Sequence, residues 1–267
     1  MSQESIIDAS RPNAGRIYDY LLGGSHNFEV DRQAAEQFIK LLPFLPKAMR
    51  LQRWCLQDLA VEVTEERGFD VIIDFASGLP TNDHMHVMVP EGTTVIYSDH
   101  DPVVVEYARE ILADTPNTYY FQADARRPEE LLNRPEVLEI LQDRRNVALV
   151  YWGIAIYLAD EDVSHIAQVL HEWADERSCW AFNAQGAFDT PDDPAALKVI
   201  KSYEQMGAQL YYRPLEKFQQ LLQPWHPDEK GFVSFVEWHG FDEAVMSQED
   251  QQAWSKTGGN FGAYLSR

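Results

Sequence analysis

Four aspartates close successive strand-like stretches of this chain: Asp74 in VIIDFA, Asp99 in TVIYSD, Asp101 just beyond it, and Asp124 in FQADARRP. Ligands of an open parallel sheet bind at the carboxyl ends of its strands, so these carboxylates would converge on one crevice. The turn Ala76-Ser77-Gly78 lies between the first two, and Asp99 follows Gly78 by 21 residues. That is close to the spacing at which a carboxylate beyond a glycine turn meets the hydroxyls of a ribose. The turn carries a single glycine, where loops that cradle a pyrophosphate usually carry three.

Charge decides what such a crevice can hold. A pyrophosphate needs bare backbone N–H groups and suffers beside several carboxylates. A cofactor with a ribose, an ammonium and a sulfonium but no phosphate has the opposite preference, and it tolerates fewer glycines. S-Adenosylmethionine meets that description; NAD meets it poorly. Each acid also has a structural reading, because turns and helix N-caps favour Asp. Asp101 alone reads better as a cap, and Asp74 alone is evenly balanced. Four acids after successive strands favour the cofactor site.

The elements that must position them follow from pattern. Residues 1–67 read as helix only: AGRIYDYLLGG, VDRQAAEQFIKLL, and a long PKAMRLQRWCLQDLAVEVTEERG ending at Gly68. From residue 68 to 267 strands and helices alternate, with strands expected at VIIDFA, TVIYSD, TYYFQA, VALVYW, CWAFNA, FVSFVEW and GNFGAYLS. Helices separate the first five, which makes them parallel. No convincing helix separates the last two, so an antiparallel edge hairpin is expected. The sum is an α/β, doubly wound, seven-stranded sheet behind an N-terminal helical extension.

Composition narrows the partners. At 45 % hydrophobic residues the chain can bury a large core, and its 22 basic against 43 acidic residues give a formal charge of −21. Nucleic acid and anionic membranes are poor partners for such a surface. The start, MSQESIIDAS, has neither the basic segment nor the apolar stretch of a secretory signal. The longest uncharged apolar run, residues 147–159, is too short to span a bilayer as a helix. Cys55 and Cys179 cannot make a disulfide framework, and Cys55 shares an apolar stripe with Leu51, Leu59 and Val63. A cytoplasmic location is expected.

RPNAGRIYDYLLGGSHNFEVDRQAAE, DFASGLPT, VIYSDHDPVVVEYAR, FQADARRPEEL and YYRPLEKFQQLL together cover nearly the whole chain. In these segments it resembles the class I S-adenosylmethionine-dependent methyltransferases, and within them a bacterial family common in actinomycetes. The resemblance implies that Ala76, Ser77 and Gly78 pass under the methionine part of the cofactor. It implies that Asp99 holds both ribose hydroxyls, with His100 and Asp101 flanking the adenine, and that Asp124 and Ala125 face the adenine amino group. Asp74 orders the loop, with the ammonium in reach through water. Two departures stand out: Ala76 replaces a usual glycine, and YWGIAIYL after strand four has no acid or asparagine. The relatives often carry a histidine near Ile156.

In the N-terminal signature Arg16 and Tyr20 share a helix face, and Gly23-Gly24 turns the chain toward Asn27. Arg16, Tyr20, Gly24 and Asn27 are therefore expected to close over the cofactor as a lid, against the plainer reading of a packing helix with a glycine cap. His26, His84 and His86 are candidate bases by position, each with a plainer packing role. The i, i+2 spacing of His84 and His86 would put them on different helix faces, which argues against a metal pair. No catalytic residue and no metal ligand is named. The leading expectation is methyl transfer to a small molecule; a non-catalytic module that senses S-adenosylmethionine or its demethylated product is the alternative, and a nicotinamide-dependent oxidoreductase is disfavoured.

Overall fold

The structure is a computed structural model that describes residues 11–81, 83–186, 194–240 and 246–267. The first ten residues of the expected extension lie outside the described residues. Three helices come first: α1 (Ala14–Leu21), α2 (Glu29–Leu41) and α3 (Leu45–Val61). The Asn13 side chain accepts from the N–H groups of Gly15 and Arg16 and so caps α1. The third helix was expected to run unbroken to Gly68, but it ends at Val61 and passes into one π-helical turn, Glu62–Glu66. There the Thr64 hydroxyl donates to the Ala60 carbonyl at 2.7 Å, competing with the helical ladder. Gly68, at φ +74°, then turns the chain into the sheet.

Five parallel strands follow: β1 (Val71–Phe75), β2 (Thr94–Asp99), β3 (Thr118–Gln122), β4 (Ala148–Tyr151) and β5 (Cys179–Gln185). Their crossovers carry α4 (Pro102–Ile111), α5 (Pro128–Leu132), α6 (Pro135–Leu141) and α7 (Asp160–Trp173). Beyond β5 come α8 (Pro194–Gln205), α9 (Leu215–Leu221), the two-residue strands β6 (His226–Pro227) and β7 (Val233–Ser234), then α10 (Phe235–His239), α11 (Gln248–Ser255) and β8 (Asn260–Ser266). The strand order is β3-β2-β1-β4-β5-β8-β6, with β7 paired to β8 off that path. Strand order reverses between β1 and β4, which opens a crevice above their carboxyl ends. The doubly wound Rossmann-like sheet expected from the alternating pattern is the fold observed.

The antiparallel pairing expected of the last two strands is observed between β7 and β8, but the extent of the first and the connection between them need correction. Only Val233 and Ser234 of FVSFVEW are strand; the Ser234 hydroxyl then accepts from Glu237 N–H and starts a helix. Phe235 and Trp238, three apart, both pack on the Trp152 ring, at 5.0 and 5.6 Å between centroids. That i, i+3 aromatic pair is a helical period inside an alternating-looking segment. A further helix, α11, precedes β8, which lies antiparallel to β5.

Each face of the sheet has its own core. On one face Leu51, Cys55 and Leu59 of α3 pack with Ile72, Val95 and Val150; α5, α6, α7 and α9 cover the other. Thus α3 belongs to the layered sheet, and Cys55 is fully buried as its stripe suggests. Helices α1 and α2 instead share a separate cluster with α8, centred on Ile17, Leu21, Phe38 and Val199.

Candidate functional site

Strand β1 ends at Phe75 and the chain turns at once through Ala76 (φ +57°) and Gly78 (φ +66°). Both sit in the left-handed region, and only Gly78 is suited to it. The loop is tied down on every side. Ser77 N–H donates to the Ser98 carbonyl (2.8 Å), the Ser77 hydroxyl to the Asp74 carbonyl (2.9 Å), and the Tyr120 hydroxyl to the Gly78 carbonyl (2.6 Å). Relief of the strain at Ala76 gives a direct test. Ala76→Gly is expected to raise stability by on the order of 1 kcal/mol, the left-handed cost less the extra unfolded-state freedom of glycine. Urea denaturation of the two proteins checks it.

Asp99, at the end of β2, accepts from Gly78 N–H (3.1 Å) through one oxygen and from Asp101 N–H (2.9 Å) through the other. Each oxygen keeps acceptor capacity toward the crevice. His100 Nδ1 stands 3.3 Å from Asp99, and this hydrogen bond raises the His100 pKa. Asp101 caps α4 through one oxygen, accepting from Val103 N–H, and takes the Asn13 side-chain amide on the other at 2.8 Å. It is therefore both a cap and a latch that fastens the start of α1 to the sheet. Asp124 is clamped by Arg126 on both oxygens, and that bonding holds its carboxyl below the usual range. The Ala125 carbonyl accepts from the buried Tyr151 hydroxyl (2.8 Å).

A cavity of about 750 Å³ opens at these strand ends. It gathers Asp74, Ala76, Ser77, Gly78, Asp99, His100, Asp101, Asp124 and Ala125 as the strand-end argument expects. The expected lid residues Arg16, Tyr20, Gly24 and Asn27 do not line it. Arg16 is buried in an ion pair with Asp31 (2.7 Å), and Tyr20 donates to Glu36 on the surface. Asn27 donates to Asp19 and to the Gly24 carbonyl. A Cβ on Gly24 would stand 2.1 Å from the Asp19 carboxylate, so this glycine is needed for close approach. The same helix turned by about a third presents Ile17, Tyr18 and Leu21 to the cavity instead.

The histidines are accounted for. His84 is buried; Nε2 donates to the Ser77 carbonyl (3.2 Å), while Nδ1 accepts from Met85 N–H. Burial, aided by the Arg53 charge, holds its pKa well below the usual value, so it is neutral. His84 and His86 do not point to different helix faces: His84 caps a 3₁₀ turn, His86 lies within it, and both rings stand edge-on to Tyr97. His26 packs on Tyr107. His26 and His86 lie off the cavity, and no cluster of metal-binding side chains occurs among the described residues.

Sequence reasoning missed Gln52 and Arg53, which project from α3 into the same cavity. Helical spacing placed them in a run of apolar neighbours with no motif to mark them. Trp152 Nε1–H donates to the Gln52 carbonyl at 3.1 Å and fixes this part of α3 over β4. Gly153 (φ +77°) leaves room for the Gln52 amide, which would stand 2.5 Å from a Cβ there. Buried Asp74 Oδ2, Gln52 Oε1, Arg53 Nε and Arg53 Nη1 have no hydrogen-bond partner. Buried donors and acceptors left unpaired on residues that line one cavity are expected of a site that a polar ligand completes. A ribose, an ammonium and a carboxylate suit this set; a pyrophosphate among Asp74, Asp99, Asp101 and Asp124 does not.

A model of the S-adenosyl methyltransferase family matches residues 1–261 of this chain. The chain belongs to the S-adenosyl methyltransferase family. A search of curated proteins finds no match. Among solved structures, this methyltransferase is similar to a candidate methyltransferase from Thermobifida fusca YX, at 28 % identity and TM-score 0.83, over 97 % of this chain and 96 % of that one. It is also similar to a DUF574 family protein from Streptomyces avermitilis MA-4680, at 26 % identity and TM-score 0.84, over 97 % and 99 % of the two chains. Magnesium protoporphyrin IX methyltransferase from Synechocystis PCC 6803, with bound S-adenosylhomocysteine, shares the fold at 13 % identity and TM-score 0.52, over 94 % and 93 %. The methyltransferase uses S-adenosylmethionine, and the enzyme reading drawn from the sequence holds.

Proposed function

We propose that this methyltransferase acts on a small, largely apolar acceptor bound beneath α1, α2 and α8. The observation that carries the reading is the rest of the cavity wall. Away from the acids it is built from Ile17, Phe38, Ile156, Val199, Tyr203 and Leu210, contributed by those helices, the turn after β4 and the segment before α9. A concave wall of aliphatic and aromatic side chains with a few phenols suits a compact apolar molecule. The formal charge of −21 opposes a nucleic-acid acceptor. Among the described residues no helix is long and apolar enough to cross a membrane.

For the cofactor end, the same reading gives Asp99 the ribose hydroxyls and the Asp74–Gly78 turn the methionine part. His100, Asp101, Asp124 and Ala125 are placed about the adenine. Lid duty passes from Arg16 and Tyr20 to Ile17, Tyr18 and Leu21, with Asn13 holding the lid to Asp101. Arg213 supports the wall from behind: it is buried, donates to the Ala155 carbonyl (3.2 Å) and the Leu158 carbonyl, and pairs with Asp160 at 2.6 Å.

When bound, S-adenosylmethionine supplies an electrophilic methyl group on a sulfonium. The chain's part is then to align an acceptor with that methyl group and to keep water out, which provides much of the rate of an in-line displacement. Tyr157 and Tyr203 are held protonated by burial, and His84 is neutral with both nitrogens engaged. These groups donate or pack at neutral pH; they do not abstract protons. Calorimetry should show S-adenosylmethionine and its demethylated product binding while NAD does not. Release of the demethylated product in a panel of acceptors should respond to apolar small molecules. Turnover confined to oligonucleotides or proteins would sink the acceptor reading.

A further inference from the structure

We infer that Arg53, with Gln52 beside it, is the seat of an α-carboxylate, so that this site reads the amino-acid end of its cofactor as well as the nucleoside. The inference rests on the S-adenosylmethionine reading and assigns residues that the sequence motifs leave out. Arg53 is 4 % exposed, yet Nε and Nη1 have no hydrogen-bond partner. The one carboxylate oxygen within 4 Å among the described residues is Asp83 Oδ2, at 3.9 Å from Nε, too far for a hydrogen bond. Tyr18 hydrogen-bonds to Arg53 and Gln52, its ring 5.5 Å from the guanidinium, and still leaves Nε and Nη1 without partners. A buried guanidinium with free donors is costly unless an anion completes it, and its planar fork matches a carboxylate.

Position says which anion. Arg53 lies close enough to Asp74 for its charge to oppose the rise in the Asp74 pKa, and both line the cavity at the methionine loop. Asp74 Oδ2, the unpartnered acceptor, and Arg53 Nε and Nη1, the unpartnered donors, suit the ammonium and carboxylate of one amino-acid tail. A carboxylate on the acceptor would have to reach past the methyl group to the same point. Gln52 is 6 % exposed; its amide packs on Gly153 and its Oε1 lacks a partner, so it borders the same tail.

Three ligands separate the possibilities by calorimetry on the full chain. S-Adenosylhomocysteine carries the whole tail, its decarboxylated analogue lacks only the carboxylate, and 5′-methylthioadenosine lacks the tail. In the wild-type protein the decarboxylated analogue should bind at least about 30-fold more weakly than S-adenosylhomocysteine. Arg53→Met should lose at least about 30-fold for S-adenosylhomocysteine and less than about 3-fold for 5′-methylthioadenosine, with Arg53→Lys between the two. Equal affinity of the wild type for the first two ligands, or equal losses for tailed and tailless ligands in Arg53→Met, overturns the assignment. If the wild type binds 5′-methylthioadenosine but gains nothing from the tail, the nucleoside site stands and Arg53 falls. If it binds none of the three, the cofactor reading falls and this inference with it.

Discussion

Asp99→Ala is expected to lose about 100-fold or more in affinity for S-adenosylhomocysteine, measured by calorimetry on protein shown to be folded by circular dichroism. Two ribose hydroxyls donating to one carboxylate are charge-assisted hydrogen bonds, worth about 1.5–3 kcal/mol each, and about 3 kcal/mol in total already exceeds 100-fold. The variant also strips the acceptor from Gly78 N–H and Asp101 N–H, so a loss of stability of about 1–3 kcal/mol should accompany it. Asp99→Asn separates the two effects. It keeps an oxygen for one of these N–H groups but removes the charge, so its affinity should fall between parent and Ala while the fold holds. Wild-type affinity in a folded Asp99→Ala protein removes the ribose assignment.

The strand-end acids could be read in sequence because their signal is local. A β-branched or aromatic run followed by an acid and a turn marks both the strand and its carboxyl end, and it does so for Asp74, Asp99 and Asp124 in turn. The five parallel strands follow from the same alternation; their order in the sheet does not. The residues that escaped notice owe their place to tertiary contact. Arg53 faces the cavity only because Trp152 and Gly153, about a hundred residues away, fix the rotation of α3. Arg16 and Tyr20 look functional as residue types, yet Asp31 and Glu36 on the neighbouring helix claim them. Asn13 shows the limit from the other side: its N-cap role could be read from its position before a helix, but not its second bond to Asp101. The overlong strand expected at FVSFVEW, of which only Val233 and Ser234 are strand, has the same root. The β-branched and aromatic composition of this segment suggests a strand, and the packing of Phe235 and Trp238 on one ring, Trp152, shows that their i, i+3 spacing is the one that counts.

Asp74 gives the strongest pH dependence. Burial pushes its carboxyl up to about 8, against the pull of Ser77 and the Arg53 charge. In the unfolded chain it titrates in the ordinary range near 3.8. Between those values the unfolded state has lost a proton that the folded state keeps, so unfolding becomes easier as pH rises, by about 1.4 kcal/mol per pH unit. The stabilisation is complete below the ordinary pKa and is gone once pH passes the raised one. Asp74→Asn abolishes this titration. Its stability relative to the parent, measured by urea denaturation without cofactor, should therefore climb by about 3 kcal/mol from pH 5 to pH 7 and level off above pH 8. Groups common to both proteins cancel in that difference, so a difference that does not change with pH refutes the assignment. The same titration should appear in binding. An ammonium brought to Oδ2 favours the ionised carboxylate, so binding of S-adenosylhomocysteine near pH 7 should release up to about one proton. Calorimetry in buffers of different ionisation enthalpy would read that proton, and Asp74→Asn should not release it.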